Sequence, residues 1–211
     1  MEGFSNAFLK LFELKDAKCV YCGRDVPEPG WVCAACRPKQ EKLKNKNGFH
    51  GSCLHAFDYA GIIRKLLHDF KYNDMPYRGA FMAKKMYTCL LENEVHFDLI
   101  TFVPIHPRRL AWRGFDQSEV LAGYLSAQTG KMHRPLLRRV RDTAPQFDLA
   151  REERQKNVKG AFAPLGKEDL TGQTLLLIDD VRTTGATLFA CEKVLEKLGA
   201  TVISFTFAKE N

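Results

Sequence analysis

Residues 175–188 read LLLIDDVRTTGATL, and this stretch decides how the chain is understood. An apolar run, Leu175 to Ile178, drives straight into two adjacent acids, Asp179 and Asp180, and then into a turn rich in Thr and Gly. The run has the length and composition of a strand buried on both faces. Beyond the turn, TTGATLFACEKVLEKLG places Leu188, Cys191, Leu195 and Leu198 at helical spacing, with Gly199 as the stop. In an open parallel sheet, ligands gather at the carboxyl ends of the strands, where Asp179 and Asp180 sit. Thr183, Thr184, Gly185, Ala186 and Thr187 can then direct backbone N–H groups and hydroxyls at an anion, aided by the positive end of the helix. One turn thus offers acceptors and, immediately after, donors. That order suits a sugar phosphate, with carboxylates on ribose hydroxyls and the loop around the phosphate. The plain alternative is an ordinary strand-to-helix turn capped by Thr183 or Thr184.

Upstream, elements of alternating type support the same architecture. AGIIRKLLHDFKY sets Ile62, Ile63, Leu66, Leu67 and Phe70 at helical spacing, and RGAFMAKKMYTCLLEN continues with a second amphipathic pattern. DLITFVPI is a short β-rich run. Asp116 and Glu119 form a D-x-x-E start signal for a helix that Gly130 stops. KMHRPLLRRV and VKGAFAPL are weaker strand candidates, and TVISFTFA closes the chain as a strand. The expected fold class is α/β: a mainly parallel sheet flanked by helices, over residues 55–211.

Residues 19–36, CVYCGRDVPEPGWVCAAC, carry a different signal. Two C-x-x-C knuckles separated by ten residues place Cys19, Cys22, Cys33 and Cys36 where they can close a tetrahedral thiolate site suited to structural Zn²⁺. Four cysteine ligands leave no open coordination position. So short a module has little core of its own, so residues 1–54 are expected to be a separate zinc-binding head and linker that folds on its metal. Losing Cys33 should then unfold the head and spare the α/β domain. RPKQEKLKNKNGFHG, 37–51, reads as a linker or a solvated helix. Cys53 has His50 and His55 nearby but no C-x-x-C partner, and Cys89 and Cys191 fall on apolar patterns expected in the core.

The chain has 211 residues, 45% of them hydrophobic, which suits one α/β domain with a small appendage. No apolar run approaches the ~18 residues of a membrane span, so no membrane insertion is expected. MEGFSNAFLKLFELKD lacks the pattern of a secretory signal, and the expected location is cytoplasmic. An odd number of cysteines, seven, argues against a disulfide framework. The net charge is +7. Arg134, Arg138, Arg139 and Arg141 crowd together without an acid, either as a patch for nucleic-acid or metabolite phosphates or as a solvated basic face. GAFAPLGKE lacks the spacing and the Ser/Thr of a Walker A loop, and no G-x-G-x-x-G occurs.

LLLIDDVRTTGAT resembles the thirteen-residue signature of type I phosphoribosyltransferases, which bind phosphoribosyl pyrophosphate. Arg182 is a departure, standing where that pattern usually has an apolar residue, and it puts a cation beside the sugar-phosphate site. Together with the cysteine head, AFDYAGIIRKLLHDFKY, VPIHPRRLAWRGFDQSEVLA and residues 146–162, the chain is similar to the ComF family, which is associated with DNA uptake in naturally competent bacteria. RGFDQ stands where RGFNQ is commoner, and Asp and Asn both serve as caps. The resemblance implies several roles. Asp179 and Asp180 would orient the ribose as catalytic acids. VPIHPRRLAWRG would hold pyrophosphate through Ile105, His106, Arg108, Arg109 and Arg113. A mobile flap would carry Gln146, Arg151, Arg154 and Asn157, and Mg²⁺ would sit on the substrate's own oxygens. It also implies single-stranded DNA as a partner, together with the ComF-operon helicase and other DNA-uptake proteins, and it makes the Arg134–Arg141 cluster the DNA-binding candidate. An active phosphoribosyltransferase acting on a nitrogen base is the alternative, although the sequence shows no pocket for that base. Trp31 and Trp112 can stack bases or simply pack.

Overall fold

The computed structural model describes residues 18–26, 31–44, 48–72, 76–143 and 151–210. The expected flap residue Gln146 lies outside them. Five strands form the main sheet: β1 (Phe49–His50), β2 (Cys53–Asp58), β3 (Leu99–Phe102), and two from the C-terminal part, Thr174–Arg182 and Thr201–Lys209. Between β3 and those two lie a short antiparallel pair, β4 (Leu137–Arg139) and β5 (Phe162–Pro164), so Thr174–Arg182 is β6 and Thr201–Lys209 is β7. The main sheet runs β1-β2-β7-β6-β3, parallel throughout except for the β1/β2 hairpin at one edge. The mainly parallel α/β architecture is as expected; the second half of KMHRPLLRRV pairs with VKGAFAPL as β4 and β5, while its first half bridges β3, the Ile100 N–H donating to the Met132 carbonyl at 2.9 Å and the Arg134 N–H to the Ile100 carbonyl at 3.1 Å.

Helices cover both faces: α1 (Arg37–Glu41), α2 (Gly61–Tyr72), α3 (Pro76–Glu92), α4 (Pro107–Arg113), α5 (Gln117–Thr129), α6 (Arg151–Val158) and α7 (Ala186–Glu196). Strand β6 shows why the sheet needs two layers. Its side chains alternate, so Leu176 and Ile178 enter one core with Ile63, Phe70, Phe81 and Leu121, while Leu175 and Leu177 enter a second with Leu188, Cys191 and Leu195. A strand apolar on both sides is stable only when both are covered. Helix α5 begins as its sequence requires: the Asp116 carboxylate accepts the N–H groups of Ser118 (2.9 Å) and Glu119 (3.3 Å), and Gly130 ends the helix in the left-handed region.

Two expectations about the head need correction. The boundary at residue 54 falls inside β2, and the sheet already begins at Phe49, within the stretch read as a linker or solvated helix, whose start does form α1. Nor is the head a separate unit. Cys19, Val20, Tyr21 and Cys36 belong to the same core as Phe70 and Phe81. Tyr21 and Trp31 set their rings 5.7 and 6.0 Å from that of Phe81 on α3. Buried Arg78 donates from Nε to the Val20 carbonyl at 3.1 Å and pairs with Asp69 of α2 at 3.2 Å. The knuckle has too little apolar surface to close alone, and α3 supplies the rest.

Candidate functional site

The site grows from the end of β6. Neighbouring residues on a strand point to opposite faces, so the two acids are held separately. Asp180 is buried and its Oδ2 lies 2.7 Å from Lys71 Nζ, at the end of α2. Asp179 accepts the Ser118 hydroxyl at 2.9 Å and also the N–H of Asp180 at 2.9 Å. Burial works against the charge on Lys71, yet the pull of Asp180 more than offsets it and raises its pKa. For Asp179 the balance goes the other way: burial first, and the charge of Asp180 second, push it up to about 7.

This shift sets a pH dependence. A carboxyl whose folded pKa is raised contributes stability while it keeps its proton, and that contribution is lost as pH rises through about 7. Asp116 acts in the same sense, because burial raises it to about 6 in spite of the N–H groups it accepts. Ligand-free protein should therefore melt higher at pH 6 than at pH 8 on account of these groups. Asp179→Asn should narrow the difference. Melting curves at the two pH values check this, and an unchanged gap would contradict it.

After the acids the chain turns sharply. Gly185, at φ +80°, occupies the N-cap of α7, and no side chain caps the helix there. Neither Thr183 nor Thr184 is the N-cap, although Thr184 Oγ1 accepts the Ala186 N–H at 3.4 Å. Arg182 lies against this turn, since a Cβ at Gly185 would come within 3.0 Å of its Nε. The cation that departs from the signature thus sits at the positive end of the helix, where it adds to the attraction for an anion. A cleft of about 730 Å³ opens along α7 and shares Arg182, Thr184 and Gly185 with the turn, but neither acid.

The loop after β3 starts beside β6, where the Val103 N–H donates to the Ile178 carbonyl at 2.9 Å. Asp116 ties it down by accepting the Ile105 N–H at 2.8 Å, a third bond beyond the two of its cap. A carboxylate takes N–H donors on both oxygens, which an Asn amide cannot, so Asp is not interchangeable with Asn at this cap. His106 caps α4, accepting the Arg108 N–H through Nδ1 at 3.3 Å. Asp142 lies 3.8 Å from His106 and 3.5 Å from Arg108. Arg109 donates to the Thr143 carbonyl and Arg113 to the Gln117 side chain.

The four arginines read as one cluster differ in partner and exposure. Arg134 forms a two-pronged pair with Glu168 at 2.6 and 2.7 Å, and Arg141 donates to the Lys159 carbonyl. Arg138 is exposed, while its neighbour on β4, Arg139, turns inward, donates to Thr143 and lies 5.3 Å over the Phe162 ring. Burial and then the charge of Arg109 lower the pKa of Arg139, and Asp179 opposes them. Arg139 therefore belongs electrostatically to the acids and the Arg109 loop. Sequence reasoning missed Lys71, Ser118 and Arg139 as members of this site. The only signal for Lys71 was its place at the end of an apolar helical stripe.

The four cysteines of the head come together as their spacing implies. Their Sγ atoms all lie within 4.8 Å of one another, and the Cys22–Cys33 separation is 3.7 Å. Tetrahedral Zn²⁺ with bonds of ~2.3 Å demands a separation of about 3.8 Å. The cluster can hold a metal such as zinc. Cys53, Cys89 and Cys191 are buried, and none joins a metal-holding group among the described residues. Among those residues no helix is long and apolar enough to cross a membrane.

No family model matches the chain. Over most of its length it is nevertheless similar to competence and DNA-utilization proteins. It is 28% identical to competence protein F of Haemophilus influenzae, covering 86% of this chain and 79% of that protein. It is 27% identical to DNA utilization protein YhgH of Escherichia coli K12, covering 88% and 80%. It is 26% identical to competence protein ComFC of Bacillus subtilis, covering 95% and 81%. These relatives agree with the ComF resemblance carried by the motifs. Among solved structures, adenine phosphoribosyltransferase from Leishmania tarentolae aligns over 80% of this chain and 94% of its own, at 11% identity and a TM-score of 0.46.

Proposed function

We propose that this chain is a cytoplasmic DNA-uptake protein of the ComF type that holds a phosphoribosyl pyrophosphate-like ligand at the β6–α7 turn and binds single-stranded DNA elsewhere on its surface. One observation carries the ligand reading. Two separately held acids, Asp180 on Lys71 and Asp179 on Ser118, stand directly before a helix N-terminus whose N-cap is a glycine and that Arg182 flanks. The acids accept ribose hydroxyls, the turn receives the 5-phosphate, and Arg109 with Arg139 supplies positive charge for a pyrophosphate. Mg²⁺ bound to the phosphates would neutralise further charge. The cysteine cluster would hold structural Zn²⁺. The DNA reading is supported by the names of the relatives and by the net charge of +7. The ComF-operon helicase and other uptake proteins are the partners it implies.

The two ligands should separate by mutation. Affinity for single strands should fall with salt, with a log–log slope of roughly −0.7 per phosphate contacted. Arg138 is exposed, and Arg138→Ala should make that slope shallower by up to about 0.7 while leaving sugar-phosphate affinity unchanged. Arg139→Ala should do the reverse, weakening phosphoribosyl pyrophosphate binding. A pair of variants that behave alike toward both ligands would overturn this division. Release of pyrophosphate in the presence of a base, abolished at the acids, would replace the binding protein with an active transferase.

A further inference from the structure

One aromatic surface has no part in the sugar-phosphate reading. His68 and Tyr72 stand one turn apart on α2 with ring centroids 4.9 Å apart, and Trp112 of α4 meets Tyr72 edge-on at 6.1 Å. The Arg113 guanidinium lies 5.3 Å over the Tyr72 ring. These rings face solvent: Trp112 is 73% exposed, Tyr72 45%, and the His68 side chain 66%. Trp31, by contrast, packs on Phe81, and Phe70 beside the patch is fully buried. Folding gains little from Trp112 and Tyr72 where they stand, so their positions call for a partner.

The chemistry of the patch selects that partner. A cation lies over one ring, Arg113 on Tyr72, and the helix that carries Trp112 also carries Arg108, exposed although paired with Asp142, and the exposed Leu110. Flat rings with open faces and flanking guanidinium groups match a chain of unpaired bases on a phosphate backbone, because each base has a π-face to stack and each phosphate a charge to neutralise. A duplex keeps its faces inside and cannot use the rings. A net charge of +7 attracts the same polyanion. We propose that His68, Tyr72 and Trp112, with Arg108 and Arg113 beside them, form a stacking platform for the bases of single-stranded nucleic acid. The proposal rests on the DNA-handling reading and adds where the strand lies: next to Lys71 and the Arg109 loop, at the border of the sugar-phosphate site.

Titration of the full chain with a fluorescent oligothymidylate tests it. Trp112→Ala should weaken binding about tenfold and Trp112→Phe should largely restore it. Melting temperature should not change in either variant, because the side chain is exposed. The chain has two tryptophans, so in a Trp31→Phe background the remaining emission reports Trp112 and should be quenched by oligothymidylate but not by a duplex. If the unmodified protein binds no single strand, the DNA reading falls and takes the platform with it. If it binds, and Trp112→Ala and Tyr72→Ala bind equally well, only the platform is overturned. Unchanged strand affinity with loss of self-association in Trp112→Ala would assign the surface to a second copy of this chain instead.

Discussion

If the cysteine cluster holds Zn²⁺ as proposed, Cys33→Ser should release it and lower the melting temperature of the whole chain, not of the head alone. Structural Zn²⁺ contributes an apparent ~10–16 kcal/mol in small metal-folded modules, as much as the net stability of an ordinary domain. Here the loss cannot stay local. Val20 and Tyr21 leave their seats on Arg78 and Phe81, and Arg78 is the buried partner of Asp69. Asp69 is held below the usual carboxylate range: burial opposes its ionisation, but Lys65 and Arg78 more than compensate. It lies two residues from Lys71, which holds Asp180. Disturbance of the head thus reaches the ligand site through α2. A fall in the melting temperature of more than about 10 °C is expected, with weaker sugar-phosphate binding. Chelation should reproduce both effects. Elemental analysis and melting curves check the prediction, and an unshifted melting temperature in metal-free protein would refute it.

How much of this was legible in the sequence follows from what sequence patterns encode. Periodicity is local, so β6, α7 and the paired knuckles could be read from Leu175–Ile178, Leu188–Leu195 and the cysteine spacing. Asp116 announced its helix because capping is settled within four residues. What resisted reading depends on tertiary placement. Lys71 meets Asp180 only because α2 packs on the side of β6 that carries Leu176, Ile178 and Asp180. Arg138 and Arg139 looked like one charge cluster, yet period-2 alternation on β4 sends one outward and the other inward onto Thr143 and Phe162. The head looked independent because it is short, and the same shortness makes it borrow its core from α3. Trp112 could not be assigned to core or surface by type alone, because its exposure depends on where α4 lies against α2.

Asp180→Asn should have the largest effect on ligand affinity, and it carries a cost in stability. The change is isosteric, which suggests a silent fold, but it leaves Lys71 without its charged partner. Breaking a buried ion pair from one side typically costs about 3–5 kcal/mol, and somewhat less here because Lys71 is partly exposed. Asp180→Asn should therefore melt earlier than the unmodified protein. The double change Lys71→Met with Asp180→Asn should regain most of that loss, because no unpaired charge remains. Both variants should bind phosphoribosyl pyrophosphate tenfold to hundredfold more weakly, the effect of removing a charged acceptor from a sugar hydroxyl, roughly 1.5–3 kcal/mol. Recovery of stability without recovery of affinity is the signature of a ligand-binding acid. Recovery of both would make the pair purely structural.

The most direct test of the sugar-phosphate site is calorimetric titration of the unmodified full chain with phosphoribosyl pyrophosphate, with and without Mg²⁺. Saturable binding at a single site is expected, strengthened by Mg²⁺ and lost in the stable Lys71→Met, Asp180→Asn double variant. Absence of binding heat in folded, metal-replete protein, at every ligand concentration with Mg²⁺ present, would contradict it.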